Sequence, residues 1–329
     1  MRQVHFFRQS YRLIEPFVIS RGARTHAEVI ECQITANGHT GCGECTPYKH
    51  YNETPESVLQ QLSEWLPAIE GGLSRHELEA RYPAGAARHA VDSALWDLEA
   101  KMTGVPIWQL AELPKPKPLD IAMTLSVQTP AKMAQKASQT PLVNLKLKCT
   151  GDGHDLSRII AVRQQCPKKN IMVDANESWS IEDIPEWLNH CAEQSVFMVE
   201  QPIPKTANQT RLPKHKSVLL CADESCHTIN DLDYCQPYDV INIKLDKTGG
   251  LTHAIRLLNQ AKQSGFKVMV GCMLGSELAI RDAFYLAQVA DIVDLDAPLL
   301  LSDHHSAICF GLTNSNQFDE QDLNSSINL

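Results

Sequence analysis

The residues in this chain best suited to chemistry are two lysines two positions apart, Lys146 and Lys148, a third lysine at Lys244, and single carboxylates at Asp174, Glu200 and Asp223. Each stands at the end of a short apolar run. An Asp or Glu at such a place ordinarily caps a helix or sits in solvent, so none of them is informative alone. Together, three carboxylates on consecutive runs with lysines on both sides make a pattern suited to a hard divalent cation. Mg²⁺ prefers oxygen ligands in an octahedron and keeps positions open for water or substrate oxygens. Histidine or cysteine ligands, which would point to zinc, are not placed with them. A lysine acting as a base near neutral pH needs a lowered pKa, which burial and a neighbouring cation supply. Lys146 and Lys148 share one face of an extended segment, so each disfavours protonation of the other. Lys244 comes from beyond the three carboxylates and approaches from the opposite side. One lysine on each face of a carbon can remove a proton from one side and return one to the other.

The runs that carry these residues cover 121–125, 143–148, 171–174, 196–200, 218–223, 240–244, 268–271 and 292–296. They alternate with helix-like stretches at intervals of roughly two dozen residues, the pattern of parallel βα units. Eight such units predict an α/β fold, a (β/α)₇β TIM-like barrel whose strand ends converge on one rim. Segments 155–166 and 251–264 carry apolar residues at helical spacing, the second running into Gly265 as a stop signal, whereas 206–216 is polar and the weakest helix of the set. No GxGxxG follows the first strand, which counts against a doubly wound sheet.

Residues 1–117 read differently. Strands over 4–18 and 28–35, a hairpin turn at Asn37-Gly38 and helices over 54–69, 74–81 and 84–102 predict a separate α+β domain. Thr54-Pro55 places a capping residue and a proline where its helix should start. The stiff segment Leu113–Pro118 is the natural connector, which puts the barrel at 118–305. The tail 306–329 is expected to pack on the capping domain or to fray, being rich in Asn, Ser and Gln from Thr313 onward.

The chain has 329 residues, 43% of them hydrophobic and 21% charged, enough apolar mass for a full core. Its net charge of −9, from 30 basic and 39 acidic residues, argues against a general nucleic-acid or anionic-membrane binder. No apolar run reaches the ~18 residues of a membrane span. The opening Met1-Arg2-Gln3-Val4-His5 lacks the layout of a secretory signal, which predicts a cytoplasmic protein. Eleven scattered cysteines read as reduced thiols; Cys42-Gly43-Glu44-Cys45 has CxxC spacing but no second pair and no thioredoxin-like context. A homo-oligomer is compatible with all of this.

The motifs resemble those of the enolase superfamily, in its muconate-lactonising-enzyme-like subgroup, over nearly the whole chain. Lys146-Leu147-Lys148 is similar to that subgroup's KxK motif. Asp174-Ala175-Asn176, Glu200-Gln201-Pro202 and Asp223-Glu224-Ser225 resemble its three metal-ligand motifs, and Asn242-Ile243-Lys244 the segment of its second catalytic lysine. Gly41-Cys42-Gly43-Glu44 and the helix 90–98 are similar to its capping domain, with Cys45 where a small apolar residue is commoner. The resemblance implies one Mg²⁺ per subunit held by Asp174, Glu200 and Asp223, and an enolate formed by removing a proton alpha to a carboxylate. It implies Lys148 and Lys244 as opposed acid/base residues, with Lys146 stabilising the developing charge. The subgroup also includes cycloisomerases, o-succinylbenzoate synthases and N-acyl amino acid racemases, and a catalytically silent metal- or ligand-binding barrel is a reading from another class. Asp294-Leu295-Asp296, with both aspartates on one face of the last strand, resembles the dipeptide epimerases, where such a pair binds a substrate ammonium. In the loop 20–25 an arginine would pair with a second substrate carboxylate; Arg24 is the choice by similarity to epimerases of Ala-Glu, with Arg21 as competitor. Thr124 and Cys272 complete the expected substrate contacts. The implied substrate is a small dipeptide such as L-Ala-Glu, from bacterial murein peptides.

Overall fold

A computed structural model describes residues 2–302; the tail 306–329, the pair His304-His305 and the last barrel positions 303–305 lie outside the described residues. Three antiparallel strands come first: β1 (Gln3–Ile19), β2 (Gly22–Ala36) and β3 (His39–Cys45), joined in the order β1-β2-β3. The turn at Asn37-Gly38 forms as its sequence predicts. Helices α1 (Pro55–Glu70), α2 (Arg75–Arg81) and α3 (Ala86–Thr103) follow, with the short α4 (Ile107–Leu110). At the start of α1 the Thr54 side chain accepts from the Ser57 amide, with Pro55 in the first turn, a cap of about 1 kcal/mol.

Strand β3 lies directly on α3. A Cβ at Gly43 would sit 2.3 Å from the Ala90 carbonyl oxygen and one at Gly41 2.2 Å from that of Ala94, so this contact is open only to glycine. The other flank of α3 faces the barrel. Asp92 accepts from the Thr252 hydroxyl and amide, Trp96 Nε1 donates to that hydroxyl, and Arg88 Nε donates to the Gly249 carbonyl. Residues 86–98 are therefore buried all round, which explains why this helix is polar yet enclosed.

Eight parallel strands pair in chain order: β4 (Ala122–Leu125), β5 (Asn144–Lys148), β6 (Asn170–Asp174), β7 (Val196–Glu200), β8 (Leu219–Ala222), β9 (Val240–Lys244), β10 (Lys267–Gly271) and β11 (Ile292–Asp294). The Thr124 amide donates to the Asp296 carboxylate at 2.6 Å, joining the first strand to the segment after the last. Helices α5 (Pro130–Gln139), α6 (Asp155–Gln165), α7 (Ile184–Glu193), α8 (Leu245–Thr248), α9 (Leu251–Gln263) and α10 (Glu277–Ala287) fill most of the connections.

Two connections depart from the expected helices. Segment 206–216 holds only a 3₁₀ turn, Gln209–Arg211, and the β8–β9 connection only Ile229–Cys235. Between Pro204 and Pro213 the first segment offers Leu212 as its one buried apolar side chain, too little to anchor an amphipathic helix.

The period of two along each strand sorts the side chains. Leu145, Leu147, Val173, Val199, Ile241, Ile243, Val268 and Val270 point outward into the main core with Ile159, Leu188, Leu257 and Phe284. Ala122, Met172, Met198, Cys221, Val240 and Met269 form a separate apolar cluster inside the barrel. The next inward layer, toward the strand ends, is charged. Among the described residues the cysteines are free, Cys45 buried and Cys42 half-buried, and no helix is long and apolar enough to cross a membrane.

Candidate active site

Because β5 alternates, Lys146 and Lys148 both point into the barrel, and the parallel register sets Lys148 beside Asp174 and Asp174 beside Glu200. The lysines and carboxylates expected from the sequence thus meet in one buried layer. Lys148 Nζ lies 2.6 Å from Asp174 Oδ2, and Lys244 Nζ lies 2.6 Å from Asp223 Oδ2. Lys146 Nζ sits among Glu200 Oε2 and Asp294 Oδ2, both at 2.7 Å, and Asp174 Oδ2 at 3.3 Å. Strands β5 and β9 are four apart in a ring of eight, so Lys148 and Lys244 enter from opposite walls.

The electrostatics reverse one expectation. A neighbouring lysine lowers the pKa of a buried ammonium, but at Lys146 the carboxylates outweigh that effect. Burial works against the charge of Lys146, yet Asp294, Glu200 and Asp174 hold it well above the ordinary lysine range. Lys244 is likewise raised: burial opposes its charge and Asp223 prevails. Against the cost of burial, Lys148 and Lys146 keep Asp174 below the usual carboxylate range, and Lys244 and Lys247 do the same for Asp223. Glu200 goes the other way, pushed up to about 7 by burial and then by Asp174.

Among the described residues no group of three or more acidic, histidine or cysteine side chains stands already converged to hold a metal ion. Each of the three carboxylates instead bears a lysine ammonium. The donor set still fits Mg²⁺: it is all oxygen, it comes from three adjacent strands, and each carboxylate presents one oxygen to a cation while a protein donor holds the other.

The hairpin of β1 and β2 closes the mouth. The loop expected at 20–25 is strand almost throughout: Val18 pairs with Ala23 and Ile19 with Gly22, leaving Ser20-Arg21 as the turn. Its tip is tied to the barrel, with the Ser20 hydroxyl donating to the Asn176 carbonyl at 2.9 Å. Arg21 is spent on structure, donating to Glu224 at 2.6 Å, to Glu177 at 3.3 Å and to the Tyr48 hydroxyl at 3.2 Å. Arg24 has no hydrogen bond or ion pair among the described residues, and its guanidinium lies 4.8 Å from the Tyr48 ring centre, facing the cavity.

That cavity has a volume of about 550 Å³ and is lined by Arg24, Lys146, Lys148, Lys244 and Asp223, and by Thr124, Cys272, Asp294 and Asp296, with Thr124 and Asp294 next to Lys146. The two aspartates differ from the expected pair on one strand. Strand β11 ends at Asp294, and Asp296 precedes a 3₁₀ turn (Ala297–Leu300). Asp294 Oδ2 is taken by Lys146, while its buried Oδ1 has no partner among the described residues. Burial and then Asp294 push Asp296 up to about 6. The Cys272 thiol donates to the Asp294 carbonyl at 3.4 Å.

Several site groups carry no role that the sequence assigns: Asn242 and Glu224 stand inside the quoted motifs, and Lys247 stands outside them. Lys247 and Asn242 donate to carboxylates of the cluster, and the buried Glu224 accepts from Arg21 on the hairpin. The spacing of Lys247, three residues after Lys244 in a buried segment, was the available signal. At β10, a Cβ on Gly271 would stand 2.7 Å from Asn242 Oδ1 and 3.2 Å from Lys244 Cε, so this glycine makes room for both side chains.

Fold and cluster together define an enolase-type barrel with its cap, and the family models agree. Residues 1–111 match the mandelate racemase / muconate lactonizing enzyme N-terminal domain, and residues 129–311 match the enolase C-terminal domain-like model. The chain belongs to this family. It is 40% identical to the L-Ala-D/L-Glu epimerase of Escherichia coli (strain K12) over 92% of its length and 95% of the relative's. It is also 40% identical to an N-acetyl-D-glutamate racemase from Pseudoalteromonas, over 79% of this chain and 84% of that one. An enolase family member from Agrobacterium tumefaciens with homology to dipeptide epimerases, solved with bound sodium and L-Ala-L-Glu, matches with a TM-score of 0.89 at 40% identity, covering 92% of this chain and 93% of that one.

Proposed function

We propose that this chain is a Mg²⁺-dependent dipeptide epimerase that interconverts L-Ala-L-Glu and L-Ala-D-Glu by 1,1-proton transfer at the glutamate alpha carbon. The observation that carries the reading is one cavity holding two opposed lysines and, among the described residues, an acidic pair with an unpartnered oxygen and an arginine with no counter-charge. Mg²⁺ is the cofactor of relatives such as the dipeptide epimerase of Enterococcus faecalis, solved with Mg and L-Leu-L-Tyr. Here Asp174, Glu200 and Asp223 would hold it, and bound there it would supply Lewis-acid stabilisation as charge moves onto the substrate carboxylate.

The chain's own residues do the rest. Lys148 takes the alpha proton from one face and Lys244 delivers one from the other, with the roles exchanged in the reverse reaction. Lys146, held cationic by its carboxylates, faces the developing negative charge. Asp294 and Asp296 receive the dipeptide ammonium, and Arg24 pairs with the glutamate side chain. Arg24 is preferred to Arg21 because Arg21 is already engaged. Thr124 and Cys272 line the ammonium side. The domain division at 117/118 and a role in murein-peptide turnover in the cytoplasm belong to the same reading.

The acidic pair also separates this reading from an o-succinylbenzoate synthase or cycloisomerase, whose anionic substrates gain nothing from two more carboxylates. The test is chiral analysis of glutamate after incubating the protein with L-Ala-L-Glu, with Mg²⁺ and with excess chelator, beside N-acetyl-L-glutamate as comparator. D-Glu from the dipeptide, lost on chelation, is expected. Turnover of N-acetylglutamate alone would overturn the dipeptide assignment.

A further inference from the structure

The three carboxylates share a feature that neither the motifs nor the proposed function requires. In each, one oxygen faces a lysine on the cavity side and the other is held by a fixed donor from behind. Asp174 Oδ2 faces Lys148, and its Oδ1 accepts from the Asn176 amide at 2.9 Å. Glu200 Oε2 faces Lys146, and its Oε1 accepts from Asn242 Nδ2 at 2.8 Å. Asp223 Oδ2 faces Lys244, and its Oδ1 accepts from Lys247 Nζ at 2.7 Å.

We propose that Asn242 and Lys247 are positioning residues that turn Glu200 and Asp223 into single-oxygen ligands, each presenting one oxygen to the cation and keeping the other out of its coordination sphere. The inference rests on the reading above that these carboxylates hold Mg²⁺. The small octahedral ion tolerates little deviation from ideal geometry, so a carboxylate free to rotate between one-oxygen and two-oxygen binding is a poorer ligand for it. Groups behind metal ligands typically contribute 10–100-fold in metal affinity or activity.

Both residues are built for this. Asn242 is fully buried and reaches from β9 past β8 to Glu200 on β7. The amide nitrogen must be the atom facing Glu200, because an ionised carboxylate only accepts. Lys247 is 1% exposed, and its ammonium also donates to the backbone carbonyls of Asp223, Cys226 and Asn242 at 2.6, 2.9 and 2.9 Å. It therefore pins the end of β8 to β9 as well as gripping the Asp223 side chain. A lysine enclosed in this way faces no substrate and can act only through its partners.

The experiment measures Mn²⁺ binding by the electron paramagnetic resonance signal of the free ion, without substrate, for the full chain and for Asn242→Leu and Lys247→Met. A ten- to hundred-fold weaker Mn²⁺ affinity is expected in both. Their epimerase kcat should recover partly when Mg²⁺ is raised in proportion. Leu257→Ala, a core substitution on α9 outside the barrel wall, controls for destabilisation and should lower the melting temperature without changing Mn²⁺ affinity. Lys247→Met orphans three buried carbonyls and could fail to fold; Asn242→Leu removes a single hydrogen bond and decides in that case. Mn²⁺ affinity within twofold of wild type in Asn242→Leu overturns the inference while leaving the proposed function intact. A wild-type chain with no saturable Mn²⁺ site overturns both.

Discussion

The layer of charge inside the barrel and the rim that covers it treat their polar groups in opposite ways. Inside, Asp174, Glu200 and Asp223 are fully buried or nearly so, and each has a cation on one oxygen and a fixed donor on the other. At the rim, among the described residues, Arg24 has no carboxylate and Asp294 Oδ1 has neither donor nor cation, whereas inside even Glu200 Oε2, which accepts no hydrogen bond, keeps the Lys146 ammonium at 2.7 Å. Satisfied buried polar networks rigidify a site. Unsatisfied groups are costly to leave, and they persist where a ligand completes them. The contrast assigns chemistry to the barrel and selectivity to the rim, so the two should be separable by mutation.

The largest effect is expected inside. Lys148→Ala and Lys244→Ala should each cut epimerisation by about 10²–10⁴-fold with little change in KM, read by steady-state kinetics. A comparable loss from Arg24→Ala, on every dipeptide, would erase the distinction between the two regions. Instead Arg24→Ala should lower kcat/KM for L-Ala-L-Glu by about 10–100-fold, the worth of a charge-assisted pair, and leave L-Ala-L-Ala nearly unchanged.

Arg21, three residues away on the same hairpin, sharpens the comparison. Its ion pair with the almost fully buried Glu224 is structural, so Arg21→Ala should lower unfolding stability by on the order of 2 kcal/mol and leave the Glu-to-Ala substrate preference intact. Denaturant unfolding and the ratio of the two kcat/KM values check both halves.

The smallest effect concerns the seam between cap and barrel. Burial raises Glu44 from 4.5 to about 7, although the Ser276 hydroxyl and amide donate to it. A carboxyl whose folded pKa lies above its unfolded one adds stability that is complete below about pH 4.5 and lost as the pH passes about 7. Wild type should therefore lose on the order of 2 kcal/mol more than Glu44→Gln between pH 5 and 7.5 in urea titrations. Parallel stability profiles for the two proteins would contradict this.

What could be read in the sequence followed physical regularity. Parallel strands end on one rim and alternate their faces strictly, so the ends of eight short runs were enough to bring Lys146, Lys148, Asp174, Glu200, Asp223, Lys244 and Asp294 together. Where regularity stops, so did the reading. Asp296 lines the cavity as expected, but from a turn beyond the end of its strand and not from the strand itself. Segment 206–216 has no apolar face to specify a helix. Residues 20–25 read as a loop because the hairpin tip is polar on the face that meets the barrel, although β1 and β2 pair up to Ile19 and Gly22. Lys247 and Asn242 act from behind other residues, and the spacing that sets Lys247 one turn after Lys244 does not reveal that its partner is another side chain's second oxygen.

The central claim is two-base proton transfer between opposed lysines. Incubation of the protein with L-Ala-L-Glu and Mg²⁺ in D₂O, followed by proton NMR at the glutamate alpha position, tests it most directly. The two-lysine account predicts deuterium in the epimerised product, and loss of that deuterated epimer in both Lys148→Ala and Lys244→Ala. Epimerised product that retains the original alpha proton, or undiminished formation of deuterated L-Ala-D-Glu in either variant, would contradict it.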